Sequence, residues 1–246
     1  MTKHAWSWQI FGELSPDGQG TYLDGLIAGL GWTLVTALLA WVLALLLGVA
    51  IGTTLSGSRK WPRRLATAYV ELFRNIPLLV QMFLWYFVLP ELVPTDIGVW
   101  LKSLSNAPFV TAVVALGFYA SASVAVQIAA AIGAVPVSQR YAALSLGLTA
   151  PQTYRYVLLP LAFRIAIPSL TNDFTSTIKN SSVALTIGLM ELTAHARAMQ
   201  EFTFYVFEPY AMATLGYVGV NLIVVNLMRS LERRVAILGN ISARKD

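Results

Sequence analysis

The sequence predicts an all-α integral membrane fold of about five transmembrane helices, with a helix–Gly–helix insert on the cytoplasmic side. Three observations lead there. Hydrophobic residues make up 57% of the chain and charged residues 12%, a balance far more apolar than that of soluble domains. The apolar residues are gathered in runs of about 20 or more, the length a helix needs to cross the hydrocarbon core. Basic residues collect in alternate segments between those runs, as they do in the cytoplasmic loops of membrane proteins.

Met1 to Trp6 lacks the charged, apolar and small-residue zones of a cleavable signal, so the first apolar run is expected to be retained as a span. That run, 26–55, is the clearest and is closed by Ser56, Gly57, Ser58, Arg59 and Lys60. The second span covers 65–89 and the third 109–132. The fourth, 163–190, is the least apolar because it contains Arg164, Asp173 and Lys179; the last, 212–231, is followed by Glu232, Arg233 and Arg234. No repeat or linker divides the chain, which reads as a single domain over 1–246.

Charge sets the orientation. Arg59, Lys60, Arg63 and Arg64 lie between the first two spans, Arg140 and Arg155 between the third and fourth, and Arg233, Arg234, Arg244 and Lys245 after the fifth. The other segments hold only Lys3, Lys102 and Arg197, beside Glu13, Asp17, Glu91, Asp96, Glu191, Glu201 and Glu208. The positive-inside rule puts the basic set in the cytoplasm and the N-terminus in the periplasm. This topology also accounts for the net charge of +5 without nucleic acid as a partner. Trp6, Trp8 and Phe11 outside and Trp61 inside suit the aromatic belts. With no Cys, disulfides and thiolate metal sites are excluded. His4 and His195 stand alone and are expected to be solvated, so neither a metal nor a cofactor is expected. Small residues recur at Gly48 and Gly52 and at Ala115, Ala122 and Ala129. Such residues permit close helix approach, within one chain or between subunits.

The insert covers about 136–160. Pro136 can open a short helix, since its missing N–H falls in the first turn. Ala142, Ala143, Leu144 and Leu146 favour helix, and Gly147 suits the left-handed residue that ends one. Thr149 with Gln152 reads as a capping box opening a second helix, expected to run to about Leu159 and to be stopped or kinked by Pro160. A helical hairpin of this kind fits a docking surface or an unpartnered surface feature equally well.

Charged groups inside spans are rarely kept without a partner or a water-filled path. Glu71 and Arg74 are spaced for an i,i+3 ion pair. Pro77 excludes helix at Ile76 and frees nearby carbonyls, so Arg74 and Asn75 are candidates for facing a solute path. Lys179, with Asn180, Ser181 and Ser182, can meet a carboxylate; the alternative is that Lys179 pairs with Asp173 or Glu71. Gln81 is a further path candidate, although amides such as Gln81 and Gln127 also serve interhelical hydrogen bonds. The spans hold no Ser–His pair, paired carboxylates or His-rich motif, and no phosphate-binding Gly-rich loop occurs, so no enzyme is expected.

Several of these segments resemble the permease subunits of polar amino-acid ABC importers. Tyr141-Ala142-Ala143-Leu144-Ser145-Leu146-Gly147, followed by Val157-Leu158-Leu159-Pro160, is similar to the loop by which such subunits dock their ATPase. Tyr69 to Gln81 looks like their second-span signature, Ile178 to Ser182 a fourth-span motif, and Leu231-Glu232-Arg233-Arg234 their usual ending. The resemblance runs from about Trp6 onward, and residues 83–94 and 147–160 are similar to glutamate/aspartate permeases in particular. It implies a type I importer fold and transport of polar, acidic amino acids across the inner membrane by alternating access. It also implies an ATPase dimer on the insert, a second permease subunit and a periplasmic solute-binding protein, in a setting of membrane lipid. Ala142, Ala143, Gly147, Val157, Leu159 and Pro160 would form the coupling loop. The chain departs from the pattern at Tyr141, where relatives carry Glu, and at Ser123, Val126 and Ala129, where relatives carry charges. Arg74 and Lys179 are then the nearest cations for a carboxylate. The rival reading is a membrane scaffold, or a secondary transporter without an ATPase partner.

Overall fold

The computed structural model describes residues 6–16, 18 and 20–235. Lys3, His4, Asp17, Arg244 and Lys245, which entered the charge and metal arguments, lie outside the described residues. The elements are a 3-10 turn Trp8–Gly12, α1 Tyr22–Leu55, α2 Lys60–Asn75, α3 Leu78–Phe83, a π-turn Leu84–Val88, α4 Leu89–Leu92, α5 Thr95–Ser103 and α6 Ala107–Ala134. They continue with α7 Val137–Ser145, α8 Ala150–Thr153, a π-turn Tyr154–Leu158, α9 Leu159–Asn180, a 3-10 turn Ser181–Ile187, α10 Leu192–Thr203 and α11 Phe207–Val235.

Four of the five expected spans reappear with altered ends. α1, α6 and α11 are each long and apolar enough to cross a membrane, and α2 with α3–α4 forms a fourth, broken candidate. α9 has 22 residues, about 33 Å at 1.5 Å per residue, a sufficient length, but it is not among the helices apolar enough to cross. α1 begins four residues earlier than expected because Thr21 and Asp24 cap it reciprocally. The Thr21 N–H donates to Asp24 Oδ2 over 2.9 Å, and the Asp24 N–H donates to Thr21 Oγ1 over 3.2 Å. The 65–89 span is broken where Pro77 excludes helix: α2 stops at Asn75 and α3 begins at Leu78. The 163–190 span ends as α helix at Asn180 and finishes as a 3-10 turn.

The chain forms two compact units. One comprises the described residues up to Ala40, with Pro77–Leu116 and Ser176–Leu222. Its core gathers Ile10, Phe11, Leu26, Leu192, Ala196, Met199 and Ala213. Phe11 is therefore core, a correction to its place in an aromatic belt, while Trp6 and Trp8 stay exposed and stack at 5.3 Å. His195 is also corrected: it is half-buried, and a Cβ at Gly29 would lie 2.7 Å from its ring. Glu191, fully buried, begins α10 by accepting the Ala194 and Thr193 N–H groups over 2.8 and 3.0 Å, and Tyr217 donates its hydroxyl to the same carboxylate over 2.7 Å.

The other unit comprises Trp41–Ile76, Gly117–Thr175 and the described residues after Leu222. Its core runs from Trp41 and Ala44 on α1 through Val124, Ile128 and Ile132 on α6 to Ala162, Ala166 and Leu170 on α9. Gly48 and Gly52 make the α1–α6 approach possible. A Cβ at Gly48 would come 2.5 Å from Val124 Cγ1, and one at Gly52 would come 2.6 Å from the Ala125 carbonyl oxygen. This glycine pair serves packing within the chain.

Candidate functional site

The insert is built as its sequence dictates up to Gly147. α7 ends at Ser145 with Leu146 as its C-cap, and Gly147 takes φ +81°. The Leu148 N–H donates to the Ala143 carbonyl over 3.2 Å and the Gly147 N–H to the Leu144 carbonyl over 3.0 Å, the paired bonds of a Schellman motif. Gln152 Oε1 then accepts from both the N–H and the hydroxyl of Thr149, over 2.8 and 2.9 Å, which fixes the start of α8.

Pro160 does not stop the second helix. α8 passes through the π-turn into α9, with the Leu159 N–H donating to the Tyr154 carbonyl five residues back. A proline in a regular helix removes a bond to the carbonyl four residues back and crowds it. The wider π-turn shifts the register just before Pro160 and relieves both problems. The same arrangement occurs at Leu84–Val88 ahead of Pro90, where the Leu89 N–H donates to the Leu84 carbonyl.

Packing separates the insert's residues into two sets. Ala143 and Leu158 are buried, Val157 and Leu159 half-buried, and Tyr154 donates its hydroxyl to the Ser56 carbonyl at the end of α1 over 3.3 Å. Ala142, Gly147 and Pro160 are exposed. Beside them stand Val137, Tyr141, Leu144, Leu146 and Tyr156, with Tyr141 65% and Leu146 83% exposed. A hairpin fixed at its base and apolar on its outer face is suited to being gripped by another protein. Sequence reasoning missed Tyr141 and Leu146 as carriers of that face.

The polar candidates are sorted by accessibility. Arg74 and Asn75 are exposed at the end of α2, and Ile76 is extended at φ −93°, ψ 125°, as Pro77 demands. The expected Glu71–Arg74 ion pair is not made; both side chains are exposed, and the ion pairs among the described residues are Lys102–Glu91 and Arg197–Glu201. Gln81 is buried on α3, which packs on the 3-10 turn Ser181–Ile187. At the end of α9, Lys179 is exposed and Asn180 half-buried. Ser181 is fully buried and donates its hydroxyl to the Ile178 carbonyl over 2.7 Å.

One polar cluster was not foreseen as a unit. Gln127 Nε2 on α6 donates to Asp173 Oδ2 on α9 over 2.7 Å. Gln127 Nε2 also donates to Ser123 Oγ over 3.5 Å, and the Arg74 guanidinium lies near enough to act on the carboxylate electrostatically. The signal available was the Ser123–Gln127 spacing of four, which puts two polar groups on one face of an apolar helix.

A family model described as the binding-protein-dependent transport system inner membrane component matches residues 44–237. The glutamate/aspartate import permease protein GltJ of Escherichia coli (strain K12) is 39% identical over 242 residues, covering 97% of this chain and 98% of that protein. The probable glutamine ABC transporter permease protein GlnM of Bacillus subtilis (strain 168) is 34% identical, over 89% of this chain and 95% of its own. A solved chain of an amino acid ABC transporter with histidines superposes with a TM-score of 0.73 at 34% identity, covering 87% of this chain and 95% of that one. An inward-facing MetNI methionine ABC transporter chain superposes with a TM-score of 0.74 at 18% identity, over 91% of this chain and 100% of that one, a likeness of fold alone.

Proposed function

The chain belongs to the family of binding-protein-dependent transport inner-membrane components and is a multi-pass permease subunit of an amino-acid ABC importer; from that premise we propose that its cargo is acidic, glutamate and aspartate. The observation that carries this reading is the likeness to GltJ along 97% of the chain.

In this reading residues 1–246 act as one permease domain and not as an enzyme. A partner ATPase dimer grips the exposed face of the 136–160 insert, because the chain has no phosphate-binding loop of its own. A second permease subunit completes the path and a periplasmic binding protein delivers the solute. The N-terminus lies in the periplasm and the C-terminus in the cytoplasm. ATP binding moves the insert, and the helices rock between inward- and outward-open states. Arg74, Asn75 and Lys179 face the path, Gln81, Asn180 and Ser181 support it, and Asp173 with Gln127 contributes a polar surface.

The test is uptake of labelled solutes by liposomes holding the chain with its ATPase and binding protein. ATP-dependent uptake of glutamate and aspartate well above that of glutamine is expected. Glutamine uptake with neither acidic amino acid carried would sink the cargo assignment while leaving the importer class intact.

A further inference from the structure

Helix α2 is polar and basic where a span would be apolar, and its residues sort onto distinct faces. Ala66 and Val70 are buried. Lys60, Arg63, Arg64 and Thr67, with Ala68 and Glu71, follow the three- and four-residue spacing of one exposed face and line an open groove of about 400 Å³. On the neighbouring face Trp61, Leu65 and Leu72 are 75%, 71% and 54% exposed. Beyond Leu65 a second, mostly apolar groove of about 350 Å³ lies between α1 and α2, bordered by Ala50, Ile51, Pro62 and Ala66.

The cations of this face are not neutralised by ion pairs among the described residues. Arg59, Lys60, Arg63 and Arg64 make no ion pair with any described residue, and the first turn of α2 holds no carboxylate. Arg64 instead lies over the Trp61 ring at 5.7 Å. Cations gathered together in this way repel one another and raise the local potential, so an anion settling among them is favoured. The adjoining Trp–Leu stripe is the complement of an acyl chain, and basic residues beside exposed Trp and Leu mark a helix lying in the membrane interface. Among the described residues Glu71 is the one acid lining the groove, at its far end from Lys60.

We propose that this face of α2 binds an anionic phospholipid, with the headgroup phosphate held by Lys60, Arg63 and Arg64 and the acyl chain lying along Trp61 and Leu65. The site holds the start of α2 at the membrane surface, directly ahead of the helix break at Ile76 and Pro77. The proposal rests on the chain spanning a membrane and is independent of its cargo.

The experiment is lipid retention by the full-length chain in detergent, counted by native mass spectrometry after exposure to phosphatidylglycerol or phosphatidylcholine. Each basic residue near an anionic headgroup adds favourable interaction, so retention of phosphatidylglycerol roughly 10-fold or more above phosphatidylcholine is expected. The preference should vanish when Lys60, Arg63 and Arg64 are all changed to Gln. It should persist in Arg63→Lys with Arg64→Lys, and in Lys102→Gln, with circular dichroism showing unchanged helix content. Equal retention of the two lipids by the wild-type chain overturns the proposal, whatever the variants do. Displacement of phosphatidylglycerol by millimolar inorganic phosphate also overturns it, since a free anion would then be the ligand. So does a triple variant that keeps the lipid preference but loses a copurifying ATPase subunit, because the face would then belong to a protein partner.

Discussion

Gln127 and Asp173 are bonded across 2.7 Å, the amide donating to the carboxylate and tying α6 to α9. A partly buried carboxylate that loses a hydrogen-bond donor costs about 1–3 kcal/mol. Gln127→Ala should therefore lower the unfolding midpoint of the detergent-solubilised chain by several degrees, and Ser123→Ala by less. Asp173→Asn removes the charge but leaves an amide able to pair with Gln127, so its midpoint should stay near wild type. Reduced uptake by that stable variant would place the Asp173 charge in the transport path. Midpoints for Gln127→Ala and wild type that coincide would show the bond to be incidental.

The glycines of α1 and α6 give a contrast between steric and open positions. A methyl at Gly52 would meet the Ala125 carbonyl oxygen at 2.6 Å, and backbone cannot swing aside as a side chain can. Gly52→Ala should destabilise by about 1–3 kcal/mol. Gly133, also within a helix, has nothing within 4 Å of an added Cβ, so Gly133→Ala should be neutral or stabilising by up to about 1 kcal/mol. Thermal unfolding of both variants in one detergent checks the sign of each.

Gly147 presents a different kind of constraint, because nothing lies within 4 Å of an added Cβ and its φ is +81°. The penalty for a side chain is therefore torsional, about 1–2 kcal/mol for Ala and less for Asn. Gly147→Leu adds a branched side chain and should weaken association with the ATPase subunit and lower uptake, while membrane insertion is unchanged. Copurification and transport assays read these effects, and Gly147→Asn should recover most of both.

What the sequence made legible divides by the range of the interactions involved. The apolar cores of α1, α6 and α11, the Schellman turn at Gly147 and the break at Ile76 follow from composition or from residues within a few positions of each other. The start of α1 was missed although its Thr21–Asp24 box is local, because the box lies ahead of the apolar run that marked the span. Helix continuing past Pro160 was not legible because a π-turn has no residue signature, and only the backbone reveals that Leu159 reaches back to Tyr154. α10 depends on Glu191, whose burial is made tolerable by Tyr217 on α11, a partner 26 residues away. At the site, accessible Arg74 and Lys179 were legible as charges in apolar surroundings. Asp173 was visible too, and the Ser123–Gln127 spacing marked a polar face on α6, but the bond between Asp173 and Gln127 comes from the packing of α6 on α9.

Arg74 and Lys179 are each proposed to bear on specificity, since Ser123, Val126 and Ala129 leave α6 without a cation at those positions. Both cations are exposed and neither forms an ion pair among the described residues. A carboxylate passing through apolar surroundings without a compensating charge meets a large desolvation cost, so a path for acidic amino acids needs a cation available to it, and these two are the ones proposed. Arg74→Gln and Lys179→Gln should each lower uptake of glutamate and aspartate by roughly 10-fold or more, the equivalent of about 1.4 kcal/mol, while the ATPase subunit still copurifies. Arg74→Lys should retain more uptake than Arg74→Gln, because charge rather than guanidinium shape is what a mobile carboxylate requires. If both Gln variants carry acidic amino acids at the wild-type rate, these cations have no part in the path, and selection of the solute falls to the binding protein.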